Sequence, residues 1–335
     1  MTKGKQSARR STVAPRPARP VSDVLRSVRP VSTYSIVARD ATTGEMGVAV
    51  QSHWFSVGGV VPWAEAGVGA VATQAFSDPA YGPLGLAAMR AGRSAPDALK
   101  GALAGDEGRE LRQVAMIDAQ GRVAGHTGRR CIRPAGHIAD PKAQFSVQAN
   151  TMVSDRVWPA MARAYLEAAG DLADRLIAAL EAAEAEGGDA RGRQSAAILV
   201  VSGHPTGKPW IDRAFDLRVE DHPRPIEELK RLVQLQRAYL HMNAGDLAME
   251  KDDMATATAE YAAAMRSAPH LAEIPFWCAV TLVNSGKLEE ALPLFRGVFE
   301  REKGWTRIIP RLVESEMLMS DPAVIAKILA MAASP

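Results

Sequence analysis

The chain has 335 residues, 47% apolar and 23% charged, which is the balance of a water-soluble protein long enough for two folded units. Its net charge of +2 is uneven: residues 1–32 hold eight Lys or Arg against the single acid Asp23, which leaves −5 for the remainder and gives no support to nucleic-acid binding. No apolar run approaches the roughly 18 residues of a membrane span, and the basic start lacks the apolar segment of a secretory signal, so neither a membrane partner nor export is expected.

Pro15, Pro17, Pro20 and Pro30 lie among Arg, Ser and Ala in residues 1–32. Proline at that density prevents a continuous helix, and too little apolar surface exists to offset the entropy of ordering. A disordered basic leader is expected. A removable propeptide, a transit peptide, a phosphate-binding arm, a functionless tail and a start codon placed too early all fit this composition.

Order is expected from Thr33. The run 33–38 is β-branched and alternating, residues 40–44 carry turn chemistry, and 46–50 read as the return strand of a hairpin. Residues 67–72 form a third apolar strand. A helix follows over about 80–91, and a second starts at the N-cap Ser94, with Pro96 in its first turn and Asp97 favouring the helix dipole. Residues 111–118 and 122–127 form a hairpin, 144–150 a further strand, and two Ala-rich helices cover about 154–169 and 171–186. Gly187-Gly188 supplies a helix stop, after which 195–202 and 215–220 read as strands.

Helices that arrive in pairs between antiparallel strands indicate an α+β fold with two sheets face to face and helix pairs outside, a four-layer α-β-β-α sandwich over 33–225. The segment Asp221 to Pro225 reads as a linker. Residues 226–335 are then expected to be all-α. Gly245, Ala257, Tyr261, Ala264 and Pro269 suit the small, aromatic and proline positions of a tetratricopeptide repeat, and adding 34 to Ala257 and Tyr261 lands on Ala291 and Phe295. Two repeats are few for independent stability, so the tail is expected to pack on helix 225–243 or on another subunit, and to offer a surface for a protein or peptide partner. Ala-rich faces and a short repeat array both point to a homo-oligomer.

No P-loop, dinucleotide-binding glycine motif, HExxH or nucleophile elbow is present. The seven histidines never fall three or four residues apart, and Cys131 and Cys278 form neither a metal-ligand spacing nor a disulfide framework. No metal and no cofactor are expected, and a reducing cytoplasm is the expected compartment. What remains is a set of polar residues at strand exits: Thr33, then Gln51-Ser52-His53, Thr73-Gln74, and Gln148-Ala149-Asn150. Any one of them could simply bond loop backbone. Four such exits together point to a cleft across one sheet edge.

The runs TYSIVARDATTGEMGVAVQSHWFSVGGVVPWAEAGVGAVATQAF, GGDARGRQSAAILVV and VEDHPRPIEELKRL occur in that order. Over about 33–236 they make the chain resemble the domain-of-unknown-function 1028 family, whose members are regarded as N-terminal-nucleophile hydrolases. The resemblance implies a first-residue nucleophile at Thr33 acting on a small amide or amide-like bond. The Thr33 hydroxyl would attack the carbonyl of a small-molecule substrate while its α-amine accepts the proton. An α-amine with a pKa of roughly 7.7–8.0 suits that task. Because 32 residues precede Thr33, the bond Ser32–Thr33 is cleaved, or translation starts later (Val31 marks one option), or the domain is inactive.

Superfamily members often place an acid at the end of strand two and a Lys at strand three. Here those places hold Gln51 or Ser52, and no Lys lies between Lys5 and Lys100. Arg191 or Arg193, beside Asp189, is the substitute source of positive charge. Asn150 and Gln74 are the candidate oxyanion donors. Ser52 and His53 are candidates to shuttle a proton or contact substrate, with Asp189 and Arg191 completing the substrate side. The alternative is an inactive sandwich that serves with the repeats as a binding or scaffolding protein.

Overall fold

The structure, a computed structural model, describes residues 32–319 and 321–332. The expected leader lies outside the described residues except for Ser32. From Thr33 the chain forms β1 (Thr33–Arg39) and β2 (Met46–Ser52), a hairpin whose turn is held by Asp40 Oδ1 accepting from the amides of Thr42 and Thr43. β3 (Pro62–Glu65), β4 (Gly69–Ala75), α1 (Tyr81–Arg90) and α2 (Ala95–Ala104) follow. Ser94 caps α2 as its sequence indicates, accepting from the Asp97 amide.

Next come β5 (Arg112–Asp118), β6 (Val123–Thr127), β7 (Gly136–Asp140), β8 (Phe145–Asn150), α3 (Val157–Glu167), α4 (Leu172–Ala185), β9 (Ser195–Val201) and β10 (Arg213–Val219). Two sheets result, in the orders β10-β9-β2-β1-β8-β7 and β3-β4-β5-β6, and every neighbouring pair is antiparallel. β3 and β7 are additions to the sequence-based reading. Both are short edge strands whose residues are all half-buried, so neither carries the period-two contrast that marks a strand in sequence.

Alternation along β1 explains the layering. Tyr34, Ile36 and Ala38 point to one face of the six-stranded sheet and join a core with Met161, Leu172, Leu176 and Leu180 of α3 and α4. Val37 points to the other face and packs with Val48 and Val50 of β2 against Ala70, Ala72, Ala115 and Ile117 of the four-stranded sheet. That second sheet turns Val71, Val114 and Met116 outward onto Leu86, Met89 and Leu99 of α1 and α2. The chain is thus a mixed α/β unit of antiparallel sheets, flanked by helix pairs and followed by a helical region.

The helical region starts with α5 (Pro225–Met249), whose first turn coincides with the expected boundary at 225/226. This helix serves two cores. Ile226, Leu229 and Val233 pack on the six-stranded sheet, while Ala238, Ala248 and Met249 pack on α6 (Met254–Ser267) and α7 (Glu273–Asn284). α8 (Leu288–Arg301), α9 (Ile308–Glu314) and α10 (Pro322–Ala330) complete the tail around Phe276, Phe295 and Phe299. Gly245 allows the closest helix approach there, because a Cβ on it would lie 2.4 Å from Cε1 of the Tyr261 ring. Among the described residues no helix is long and apolar enough to cross a membrane.

Candidate functional site

Antiparallel register brings the polar strand exits together. Thr33 at the head of β1 sits opposite Ser52 on β2 and Asn150 on β8, and Ser52 sits opposite Ser195 on β9. On the facing sheet Gln74, near the end of β4, pairs with Gln113 at the start of β5. The same strand faces that are apolar at Val37 and Val50 become polar at this end, so the space between the sheets closes on a fully buried polar layer.

Its centre is a network of side-chain amides. Gln113 Nε2 donates to Thr127 Oγ1 at 2.9 Å and to the carbonyls of Ala149 at 2.9 Å and Gly136 at 3.1 Å. Its Oε1 accepts from Gln74 Nε2 at 2.7 Å and Asn150 Nδ2 at 2.9 Å. Those two donors also reach the Thr33 carbonyl, at 3.1 Å and 3.4 Å respectively. Ser35 donates to Gln74 Oε1 at 2.7 Å and accepts from Gln148 Nε2 at 2.6 Å. Gln74 and Asn150 therefore fix the backbone on the C-terminal side of Thr33, where their amide groups are occupied. His137 borders this layer with Nδ1 2.9 Å from Thr127 Oγ1, and burial holds its imidazole below the ordinary histidine range, with His126 adding to the effect.

On the N-terminal side the arrangement differs. Thr33 Oγ1 donates to Ser52 Oγ at 3.2 Å, and Ser52 Oγ donates to the Ser32 carbonyl at 2.5 Å. Arg191 Nη2 donates to the same carbonyl at 2.9 Å. The peptide carbonyl before Thr33 thus receives one hydroxyl and one guanidinium hydrogen bond, and Ser32, Thr33 and Ser52 are all buried.

Arg191 is aimed by Asp189, whose Oδ2 accepts from Arg191 Nη2 at 2.8 Å and from the His53 amide at 3.1 Å, and whose Oδ1 accepts from Arg191 Nε at 3.1 Å. The loop carrying both is stapled to the exit of β8: Val153 N–H donates to the Gly188 carbonyl at 3.0 Å and Ala190 N–H to the Thr151 carbonyl at 3.0 Å. Gly187 and Gly188 enter this loop at φ of 98° and 57°, the left-handed region that glycine takes without a side-chain clash.

The structure thus gathers Thr33, Ser52, Gln74, Asn150, Asp189 and Arg191, and it divides the last five between the two carbonyls that flank Thr33. His53 contributes its backbone amide. Its ring is exposed, with Nδ1 3.2 Å from the Arg193 carbonyl. Arg193 pairs instead with Glu184 at 2.5 Å, and Glu184 accepts from the Tyr34 hydroxyl at 2.5 Å. Burial first, then the Glu184 carboxylate, pushes Tyr34 well above the ordinary phenol range, so it stands as a neutral donor. Sequence reasoning missed Gln113, Ser35 and the Ser32 carbonyl. The first two carried a signal, a polar residue on the inward face of an otherwise apolar strand. The third is backbone and carried none. Among the described residues no group of three His, Cys, Asp or Glu is placed to hold a metal ion.

The model of a family of unknown function, DUF1028, matches residues 33–229 of the chain. The chain belongs to the DUF1028 family. The match begins at the first residue of β1, with the polar layer and the Arg191 loop inside it. A crystal structure of a DUF1028 protein from Silicibacter pomeroyi is similar to this chain, at 33% sequence identity and a TM-score of 0.54. The similarity covers 61% of this chain and 85% of that one. No functionally curated protein matches. The family description assigns no activity, so the chemistry of this DUF1028 member rests on its own residues.

Proposed function

We propose that this chain is an N-terminal-nucleophile amide hydrolase of the α-β-β-α sandwich type, with Thr33 as nucleophile once the Ser32–Thr33 bond has been broken by Thr33 itself. The observation that carries the reading is the pair of donors, Ser52 Oγ and Arg191 Nη2, on the Ser32 carbonyl, with the Thr33 hydroxyl bonded to Ser52. Donors already in place where negative charge would develop are what acyl transfer needs, and a buried site makes them more effective than they would be in water.

The scission balances without an external acid or base. Thr33 Oγ bonds to the Ser32 carbonyl carbon, its proton passes to Ser52 Oγ, and Ser52 hands its own proton to the carbonyl oxygen. The C–N bond then breaks, the nitrogen takes the proton back from that oxygen, and an ester between Ser32 and Thr33 Oγ remains. Water hydrolyses the ester and leaves a Ser32 carboxylate and a free Thr33 amine. With a pKa of roughly 7.7–8.0 that amine serves as base for each later amide. Gln74 and Asn150 act through the Thr33 carbonyl and hold the nucleophile in register. A small-molecule amide enters the space vacated by residues 1–32.

The helical tail reads as a tetratricopeptide-type pair. α6 and α8 are related by 34 residues at both ends, 254 to 288 and 267 to 301. Ala257 and Tyr261 occupy the buried positions that Ala291 and Phe295 occupy one period later. A protein or peptide partner and a second copy of this chain are the proposed occupants of its faces.

The test is intact mass of the purified full chain over time. Wild type is expected to lose residues 1–32, Thr33→Ala to stay whole, and Ser52→Ala to lose them at least about tenfold more slowly. A folded wild-type chain that retains residues 1–32 indefinitely would refute the nucleophile and favour an inactive scaffold.

A further inference from the structure

Two buried groups take no part in the chemistry above. Ser32 Oγ and both polar atoms of the Gln51 side chain are buried without a hydrogen-bond partner, although both residues have 0% exposure. A primary amide with neither end satisfied inside a protein is rare and calls for an explanation. Strand alternation places both on one face. Ser32 precedes Thr33, so its side chain projects to the side of Tyr34, away from the Thr33 hydroxyl. Gln51 pairs with Tyr34 across β1 and β2, one diagonal step from Ser32. The strand neighbours on that face are small: Ala149 opposite Tyr34 and Ala196 opposite Gln51, both buried.

We propose that this face, with Gln51 at its base, is the acyl-side subsite of the hydrolase, and that it takes amides whose acyl group is small, uncharged and hydrogen-bonding, of the seryl type. The inference rests on the Thr33 reading and deepens it. One nucleophile and one pair of carbonyl donors serve both the self-scission and every later substrate. Any scissile carbonyl must therefore sit where the Ser32 carbonyl now sits, between Ser52 and Arg191, and the group behind it must lie where the Ser32 side chain lies.

That space sets three conditions. It is small, because Ser32 is fully enclosed. It is polar, because Gln51 offers a donor and an acceptor that nothing else uses, and a hydroxyl can answer both. It favours no net charge, because the ions around it are already matched: Arg191 with Asp189 at 2.8 Å, and Glu184 with Arg193 at 2.5 Å and the Tyr34 hydroxyl. A charged acyl group would meet no unpaired counter-ion among these.

The experiment has two arms on the full chain. In the first, intact mass follows self-scission of wild type, Ser32→Ala, Ser32→Leu and Gln51→Met. Ser32→Leu is expected to slow scission by about 100-fold or more, since added methylenes in a closed pocket discriminate on that scale. Ser32→Ala is expected to slow it several-fold. In the second, the processed wild-type chain is given seryl, alanyl, leucyl and glutamyl p-nitroanilides. The seryl amide is expected to exceed the alanyl one in kcat/KM by about tenfold, and the leucyl and glutamyl ones by about 100-fold.

Gln51→Met is expected to bring the seryl-to-alanyl ratio to about one while the alanyl rate changes by less than about threefold, since Met conserves the volume and removes the hydrogen bonds. If Ser32→Leu fails to fold, the amide series on wild type decides alone. Scission of wild type accompanied by preference for the leucyl or glutamyl amide, or by an unchanged ratio in Gln51→Met, would overturn the subsite and leave Thr33 standing. Absence of any scission in wild type would remove the nucleophile, and the subsite with it.

Discussion

Gln113→Met tests whether the buried amide layer holds the nucleophile strand in place. The substitution conserves volume and shape closely, so the packing loss is expected to stay below about 1.5 kcal/mol. It removes the bonds from Gln113 Nε2 to Thr127, Gly136 and Ala149 and those accepted by Oε1 from Gln74 and Asn150. At a net contribution of about 1 kcal/mol each, five bonds set an upper bound near 5 kcal/mol.

The expected loss is smaller, about 3–4 kcal/mol, because Gln74 and Asn150 keep the Thr33 carbonyl and Thr127 keeps His137. Against a total stability of about 5–15 kcal/mol that is a large fraction. Urea unfolding followed by circular dichroism and by tryptophan fluorescence measures it as a shift of midpoint at constant slope. Gln113→Glu separates hydrogen bonding from shape. Its carboxylate would face three oxygens that now accept from Nε2, so its loss should exceed that of Met at neutral pH and shrink as acid protonates it. A loss below about 1 kcal/mol for Gln113→Met, or a Glu variant as stable as wild type at pH 7, would refute the reasoning.

Burial holds His137 below its ordinary range, so the folded state binds a proton less readily than the unfolded one. The stability this lends is complete above the unfolded value of about 6.5 and declines as pH falls through it. His137→Gln should flatten that part of the profile, as read by thermal unfolding between pH 8 and about 5. Gly245→Ala would put a Cβ 2.4 Å from the Tyr261 ring, and is expected to cost about 1–3 kcal/mol despite better helix propensity. A variant at least as stable as wild type would show that α5 and α6 can separate freely. Arg191→Met leaves the Ser32 carbonyl with one printed side-chain donor, Ser52. Intact-mass kinetics should show scission slowed by about 100-fold or more, and an unchanged rate would remove Arg191 from the site.

Much of the site was legible because strand alternation is local. Thr33, Ser52, Gln74 and Asn150 stand out as polar interruptions at the ends of apolar runs, and the structure brings all four to one end of the two sheets. Their division of labour was not legible. Asn150 and Gln74 looked suited to a developing oxyanion, yet their amides are taken up by Gln113 and the Thr33 carbonyl. The donors on the Ser32 carbonyl are Ser52 and Arg191, and the latter is separated from Thr33 by more than 150 residues of chain. The edge strands β3 and β7 escaped for a different reason: with one neighbour each and half-buried residues, they show little contrast between faces.

The sequence by itself determined which segments are strands and helices, that helices come in pairs, that α6 and α8 repeat at a spacing of 34, and that polar residues gather at strand exits. All of these follow from periodicity, capping and residue type, which act over a few residues at a time. Only the tertiary structure decided which carbonyl each polar group serves, that α5 is shared between two cores, and that Gln51 lies buried without a partner. Those facts depend on sheet order and facing, which are set by the burial of apolar surface far apart in the chain and leave no local trace.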